Sequence, residues 1–169
     1  MNKLIFSLFV VILLTSILFV MNFKKPISNL SQDDIPKNVV KPYKPDLNYR
    51  DLVTKGIEKA LKENKQPLII FGANWCPDCR IFSGTMNIPK IEKHINEKFN
   101  VLYIDVLRYE INMNLMEEYG IASAEGIPRV LVFDKNRNVI NNSNTTEWRT
   151  ARDRSSQEIF DFFQNMVTN

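Results

Sequence analysis

A short apolar run that ends beside two closely spaced cysteines constrains the fold of this chain most. Residues 67–73 (PLIIFGA) are nearly all apolar, which is typical of a buried central strand. They lead directly into residues 74–80 (NWCPDCR), where Pro77 is well placed for the first turn of a helix. The sequence therefore predicts a buried strand followed at once by a helix whose N-terminus carries both cysteines.

Cys76 and Cys79 are the only two cysteines in 169 residues. A disulfide scaffold needs several widely spaced pairs of cysteines. A disulfide between Cys76 and Cys79 would close a loop too short to reduce the entropy of the unfolded chain by much. Zinc needs about four ligands. The only histidine, His94, is predicted on the outer, solvated face of a helix. These observations disfavour a structural or metal-binding pair, so we expect no metal site and a redox-active dithiol.

A dithiol is a useful redox couple when one sulfur ionises readily and the other can reach it. At a helix N-terminus, unpaired N–H groups and the helix dipole favour a thiolate, which predicts Cys76 as the attacking sulfur. Cys79, one turn further and more buried, would then resolve the mixed disulfide. Trp75 and Pro77 are predicted to contact substrate. Asp78 should raise the Cys76 pKa and make the couple more reducing, since a carboxylate disfavours a nearby thiolate.

The remaining pattern predicts one α/β domain with a mixed sheet over residues 48–169. Helical periodicity covers residues 48–65 and resumes at Pro89, and Ser155 with Glu158 forms a capping box for a last helix. The other predicted elements are strands at 100–106, 129–133 and 139–141, a helix at 112–119, and a polar loop before the last helix.

The N-terminal region differs in composition from this domain. Residues 4–21 carry no charge and would span about 27 Å as a helix, close to the thickness of a bilayer core. No small-residue cleavage site follows, so residues 1–25 are predicted to be a signal anchor, with a cleaved signal as the alternative. Residues 26–47 contain four prolines and are predicted to be an extended linker. Its lysines are expected to keep the linker soluble and to contact lipid headgroups. The net charge of the chain, +3, is too small to indicate a nucleic-acid-binding surface.

Several motifs together resemble the thioredoxin superfamily, and their order along the chain matches it over residues 48–169. They are Trp75-Cys76-Pro77-Asp78-Cys79, Ile104-Asp105, Tyr119-Gly120-Ile121 and Gly126-Ile127-Pro128. The resemblance implies a thioredoxin-like fold in which Pro128 follows a cis peptide bond beside the cysteines. It also implies that the backbone of Ile127 binds the substrate peptide.

The chain departs from that family at three places. Cytosolic thioredoxins carry a buried aspartate where this chain has Ile70, and an accompanying lysine where it has Val101. The aspartate takes the proton of the second cysteine, so here water, Asp78 or another group must do so. The connection formed by residues 122–125 is also longer than the family's usual connection before Gly-Ile-Pro, and this difference bears on substrate specificity.

Together these features predict a thiol–disulfide oxidoreductase that reduces disulfides of exported proteins. It would need no bound cofactor and would exchange electrons with a partner redox protein. By similarity to an exported bacterial branch, the domain is predicted to lie in the periplasm or otherwise outside the cytoplasm, held by its anchor. The alternatives are a disulfide oxidase or isomerase, and a tethered chaperone or binding module. Arg80 and Arg129 flank the predicted site and are expected to be solvated, with support of the thiolate by their charge as the alternative. Trp148 is expected to contact a partner or to pack on the sheet edge.

Overall fold

The computed structural model describes residues 27–31, 34, 40–45, 48–121 and 126–168. The predicted anchor, residues 1–25, lies outside them, as do residues 122–125 and part of the predicted linker. Within the described ranges, no helix combines the length and apolarity needed to cross a bilayer.

Helices and short strands alternate along the described chain, as the α/β prediction requires. Two 3₁₀ segments, Asn142–Asn144 and Glu147–Asp153, occupy the predicted polar loop. The other elements are α1 (Tyr49–Lys62), β1 (Gln66–Gly72), α2 (Pro77–Met86), α3 (Pro89–Lys98), β2 (Phe99–Asp105), α4 (Met113–Glu118), β3 (Arg129–Val132) and α5 (Ser156–Met166).

The described strands form one mixed sheet in the order β2-β1-β3. β2 runs parallel to β1 and β3 runs antiparallel to it, so Ile70 lies between Tyr103 and Val130. All seven residues of β1 are buried, which explains why its sequence is continuously apolar rather than alternating. The central strand therefore delivers the chain directly to Cys76 at the start of α2.

The predicted fourth strand, residues 139–141, is wrong: the described chain has only a single bridge there, between Phe133 and Val139. Asn141 takes the place of a strand because its buried side chain bonds the backbone of β3. Its Oδ1 accepts from Val132 N at 2.8 Å, and its Nδ2 donates to Val130 O at 2.8 Å. Hydrogen bonds from the Asn141 side-chain amide thus satisfy backbone groups that would otherwise pair with a neighbouring strand.

The helix starts agree closely with their sequence signals. Ser155 and Glu158 form both halves of the predicted capping box on α5. Trp148 is 1% exposed and lies 5.5 Å from the ring of Phe82 in α2, so its role here is packing. His94 is only partly exposed, and its ring lies 5.6 Å from that of Phe160. The solvated position predicted for His94 is therefore wrong, because α5 covers that side of α3.

The described parts of residues 26–47 contact the domain. Ser28 N donates to Gln164 Oε1 at 2.6 Å, and Leu30 N donates to Gln157 Oε1 at 2.7 Å, so this segment lies along α5. Tyr43 is 1% exposed and belongs to the hydrophobic core. The folded unit in the described chain therefore includes residues on the N-terminal side of α1.

Candidate active site

The two cysteines lie at the N-terminus of α2, in the arrangement predicted from their spacing. Cys76 is the N-cap, Pro77 begins the helix, and Cys79 N donates to Cys76 Sγ at 3.2 Å. Both thiols are free, with Cys76 4% exposed and Cys79 fully buried. The attacking position is thus closer to the surface than the resolving position.

The local structure gives the two thiols different acidities. The pKa of Cys76 falls from 9.0 to about 7, first because the Cys79 side chain hydrogen-bonds its sulfur and also because backbone N–H groups point at it. Burial and the charge of Asp78 oppose this shift. Burial, together with the neighbouring Cys76, raises the pKa of Cys79. The pair can therefore hold a single thiolate near neutral pH, and it resides on Cys76.

The loop before β3 places backbone beside the attacking sulfur. The Ile127–Pro128 peptide bond is cis, as the resemblance implied. Cys76 Sγ lies 3.7 Å from the carbonyl oxygen of Ile127, and both Ile127 and Pro128 are buried. Chain segments that are distant in sequence thus meet at the reactive thiol.

An open groove of about 530 Å³ passes over this thiol. Trp75 forms part of its wall and is 43% exposed. The indole N–H donates to Leu107 O at 2.6 Å, and the ring meets Tyr109 edge to face at 6.1 Å. The second 3₁₀ segment contributes Glu147, Arg149 and Arg152 to the groove. The groove is therefore partly aromatic and partly charged.

Asp78 does not face solvent beside the thiol, because Arg152 covers it. The carboxyl group is 3% exposed and accepts from Arg152 Nη2 at 2.6 Å, from Nε at 3.1 Å and from the backbone N–H at 3.0 Å. The sequence did not identify Arg152 as a site residue. Asp78 and Arg152 are 74 positions apart, and no local pattern connects them.

The flanking arginines differ from expectation. Arg129 is 1% exposed rather than solvated, and its Nε donates to Gly126 O at 2.7 Å, so it supports the loop that carries Ile127. Arg80 is half-buried. In the part of the chain that the structure describes, no three His, Cys, Asp or Glu side chains are grouped to hold a metal ion.

Comparisons with known proteins agree with this geometry. Residues 46–143 match the family model described as Thioredoxin. A curated thioredoxin from Rickettsia bellii (strain RML369-C) is 34% identical over 76 residues, which cover 45% of this chain and 65% of that protein. This chain thus spans less than two thirds of the curated relative.

A solved structure, described as a disulphide isomerase from Xylella fastidiosa Temecula1, is 31% identical to the chain. The match covers 78% of this chain and 100% of that one, with a TM-score of 0.71. The family model, the structural match and the cysteine geometry all support one conclusion: the chain belongs to the thioredoxin family.

Proposed function

We propose that this protein catalyses thiol–disulfide exchange on protein substrates, with Cys76 and Cys79 as the redox couple. The observation that carries the proposal is the position of Cys76, whose thiol has a pKa of about 7 and opens onto a groove beside a cis proline. A thiolate is the nucleophile in disulfide exchange, and this pKa gives a substantial thiolate fraction near neutral pH.

The exchange has two steps. The Cys76 thiolate attacks one sulfur of a substrate disulfide, so that a mixed disulfide forms and the other substrate sulfur leaves as a thiolate. Cys79 then attacks Cys76 Sγ and releases the second substrate sulfur. The substrate gains two electrons, and the protein is left with a Cys76–Cys79 disulfide that a partner redox protein must reduce.

The groove supports a peptide rather than a small molecule as substrate. The buried backbone of Ile127 lies beside Cys76, and its carbonyl oxygen accepts from the Cys76 thiol at 3.7 Å. Ionisation of Cys76 removes that donor and frees the carbonyl oxygen for the backbone of an extended substrate chain. Trp75 presents a flat apolar wall, and Pro77 lies beside Cys76 in the lining of the groove. A substrate chain can thus be aligned by backbone hydrogen bonds and need not match a particular side-chain sequence.

Reduction of disulfides in exported proteins is the direction we favour. The charge of Asp78 raises the pKa of Cys76, which destabilises the thiolate form and makes a couple more reducing. The uncharged residues 4–21 support a membrane tether. The resemblance to an exported bacterial branch is the reason for placing the domain outside the cytoplasm. Isomerisation is the second candidate, because the solved relative that is 31% identical is described as a disulphide isomerase.

Serine variants of the two cysteines test the exchange mechanism. Cys76→Ser should abolish disulfide reduction, whereas Cys79→Ser should accumulate a mixed disulfide through Cys76, because attack survives and resolution does not. Mass spectrometry of the trapped adduct and a reductase assay on a protein disulfide measure these outcomes. The double variant, which has no thiol, is the matched baseline. Full turnover in both single variants would refute the proposal.

A scrambled multi-disulfide protein separates the two candidate activities. An isomerase restores the native activity of such a substrate without net reduction, and it can do so through the attacking thiol alone. We expect the wild type to reduce the substrate stoichiometrically, and Cys79→Ser to give little reactivation. Efficient reactivation by Cys79→Ser would favour isomerisation over reduction.

A further inference from the structure

A carboxylate lies at the start of α2, where the attacking thiol must ionise. Asp78 follows Cys76 by two positions in the first turn of that helix, and both residues line the groove. A negative charge this close disfavours a thiolate, whereas the N–H groups at the helix start favour one. The Asp78 side chain is also buried, and a buried carboxylate is costly without a partner of opposite charge. The ease with which Cys76 ionises therefore depends on what compensates Asp78.

Arg152 binds this carboxylate through both its guanidinium group and its backbone. Nη2 donates to Asp78 Oδ2 at 2.6 Å, and Nε donates to Oδ1 at 3.1 Å and to Oδ2 at 3.2 Å. The backbone N–H of Arg152 donates to Oδ1 at 3.0 Å. Charge-assisted hydrogen bonds in this two-pronged geometry are strong and fix the direction of both groups. Both carboxylate oxygens are thus engaged, and the carboxylate is held in one orientation.

Arg152 also forms part of the groove wall, on the side of the second 3₁₀ segment. Its side chain is 54% exposed, so the guanidinium group lies between the buried carboxylate and the solvent. The titratable and charged groups that surround Cys76 are the Cys79 thiol and, in the lining of the groove, Asp78, Tyr109, Glu147, Arg149 and Arg152. Asp78 is the charged residue nearest to Cys76 in the chain, and an ion pair rather than a lone carboxylate therefore lies beside the thiol.

We propose that Arg152 is a positioning residue for thiol–disulfide exchange: it fixes the Asp78 carboxylate and offsets its charge beside the Cys76 thiolate. This inference rests on the proposed exchange function. When Cys76 gives its proton to the solvent, the new negative charge meets a compensated carboxylate, so Arg152 favours the reactive form of the thiol. The pKa of Arg152 is raised, first because of its hydrogen bonds to Asp78 and to a smaller extent because of Cys76, which agrees with this arrangement.

Arg152→Gln tests this role, because glutamine removes the positive charge but can still donate to the carboxylate. The midpoint of the Cys76 titration should rise by about one pH unit, the lower end of the effect of a nearby charge. Thiolate absorbance against pH measures this midpoint, with Cys76→Ser as the baseline. The reduction potential should become more negative, because the thiolate of the reduced form is less stabilised.

The pH profile of attack separates this role from a purely structural one. A less acidic thiol is less ionised at low pH but more nucleophilic once it is ionised. With an uncharged dipyridyl disulfide, the first release of coloured thiolate reports attack by Cys76. Compared with the wild type, Arg152→Gln should react about threefold more slowly at pH 6 and about 2.5-fold faster at pH 9.5. A site that is merely distorted would react more slowly at both pH values.

Arg154→Gln is the matched control. Arg154 directly follows the second 3₁₀ segment and is paired with Glu158 at 3.1 Å, so this variant also removes an arginine from an ion pair. Its titration midpoint and its rates should be close to those of the wild type. Arg152→Lys keeps the charge but loses the two-pronged geometry, and its midpoint should lie between those of the wild type and Arg152→Gln.

A double-mutant cycle tests whether Arg152 acts through Asp78. In the Asp78→Asn variant no carboxylate holds the half-exposed Arg152 side chain near the thiol, so Arg152→Gln should then shift the midpoint much less than it does in the wild type. An equal shift in both backgrounds would mean that Arg152 acts on the thiolate directly, and this would overturn the inference.

The inference is also overturned if Arg152→Gln leaves the midpoint unchanged or lowers it, or if attack slows equally at pH 6 and pH 9.5. A shift of the same size in Arg154→Gln, or no recovery in Arg152→Lys, would overturn it as well. Absence of any coloured release from the wild-type protein is a different result. It would contradict the proposed exchange function itself.

Discussion

At Cys76, hydrogen bonds from Cys79 outweigh the opposing effects of burial and the Asp78 charge, and the thiol pKa falls to about 7. A folded-state pKa below the ordinary 9.0 means that ionisation stabilises the fold. That stability is fully present above pH 9 and is lost as the pH falls through 7. The reduced protein should therefore become more stable between pH 6 and pH 8.5.

The size of this pH effect can be measured by urea unfolding of the reduced protein. A shift from 9.0 to about 7 predicts a gain of about 2 kcal/mol in the free energy of unfolding between pH 6 and pH 8.5. Cys76→Ser removes the titrating group and should show no such rise. Above pH 9 the raised pKa of Cys79 lowers the free energy of unfolding as the pH rises, so the two proteins are compared below pH 9. Equal pH dependence in both proteins would contradict this assignment.

Asp78 influences the same sulfur through its charge. Asp78→Asn keeps the shape of the side chain but removes the charge that raises the Cys76 pKa. We expect a lower thiol pKa and a less negative reduction potential, because a stabilised thiolate stabilises the reduced form. Thiolate absorbance against pH and equilibration with glutathione measure the two quantities.

The control for Asp78→Asn must separate the charge beside the sulfur from the general loss of one negative charge near Arg152. Asp153→Asn serves this purpose, since Asp153 is exposed and interacts electrostatically with the same arginine. It should leave the potential close to that of the wild type. An unchanged or more negative potential in Asp78→Asn would remove the main structural reason for favouring a reductase.

At the scale of elements, β3 depends on a side chain where a fourth strand was predicted. Asn141 is 2% exposed, and its side-chain amide forms hydrogen bonds with the backbone of Val130 and Val132. Asn141→Ala leaves these buried groups without partners, so we expect a loss of about 2–4 kcal/mol in the free energy of unfolding. Asn142→Ala, at an exposed neighbouring position, is the control and should change stability little. Chemical denaturation of both variants provides the measurement. Equal stability of the two would contradict the role assigned to Asn141.

Most elements could be predicted because their signals are local. The all-apolar run of β1, Pro77 at the start of α2 and the Ser155–Glu158 box each depend on neighbours a few positions away. The fourth strand could not be judged in this way. Val139 and Ile140 are residue types typical of a strand. The hydrogen bond between the Asn141 side chain and β3 forms only when the fold brings the two together.

At the scale of the whole molecule, the segment before α1 contributes to the core, and the predicted anchor lies further upstream. We expect the full-length chain to fractionate with membranes and to resist carbonate extraction, since residues 4–21 are long and apolar enough to span a bilayer. A chain that begins at Lys41 should be soluble and keep its redox activity because it retains Tyr43. Recovery of a mature soluble form without the first two dozen or so residues would instead indicate a cleaved signal.

A chain that begins at Asn48 is the matched comparison for this truncation. It lacks the aromatic ring that lies against Gly72 and Tyr103. Loss of a buried aromatic side chain typically costs about 3–5 kcal/mol, so this shorter chain should unfold at clearly lower urea concentration. Equal stability of the two truncated chains would show that the packing of Tyr43 is unimportant.

The sequence by itself determined the family, the cysteine pair and the strand that leads into it, because each is encoded by short motifs, and the family resemblance in turn implied the cis proline. Only the tertiary structure brought Arg152 to Asp78 and the ring of Tyr43 against Gly72. It also buried Arg129, which the sequence analysis had expected to be solvated. These contacts join residues that are dozens of positions apart. Burial and charge compensation depend on which elements pack together, and no local pattern of residue types records that packing.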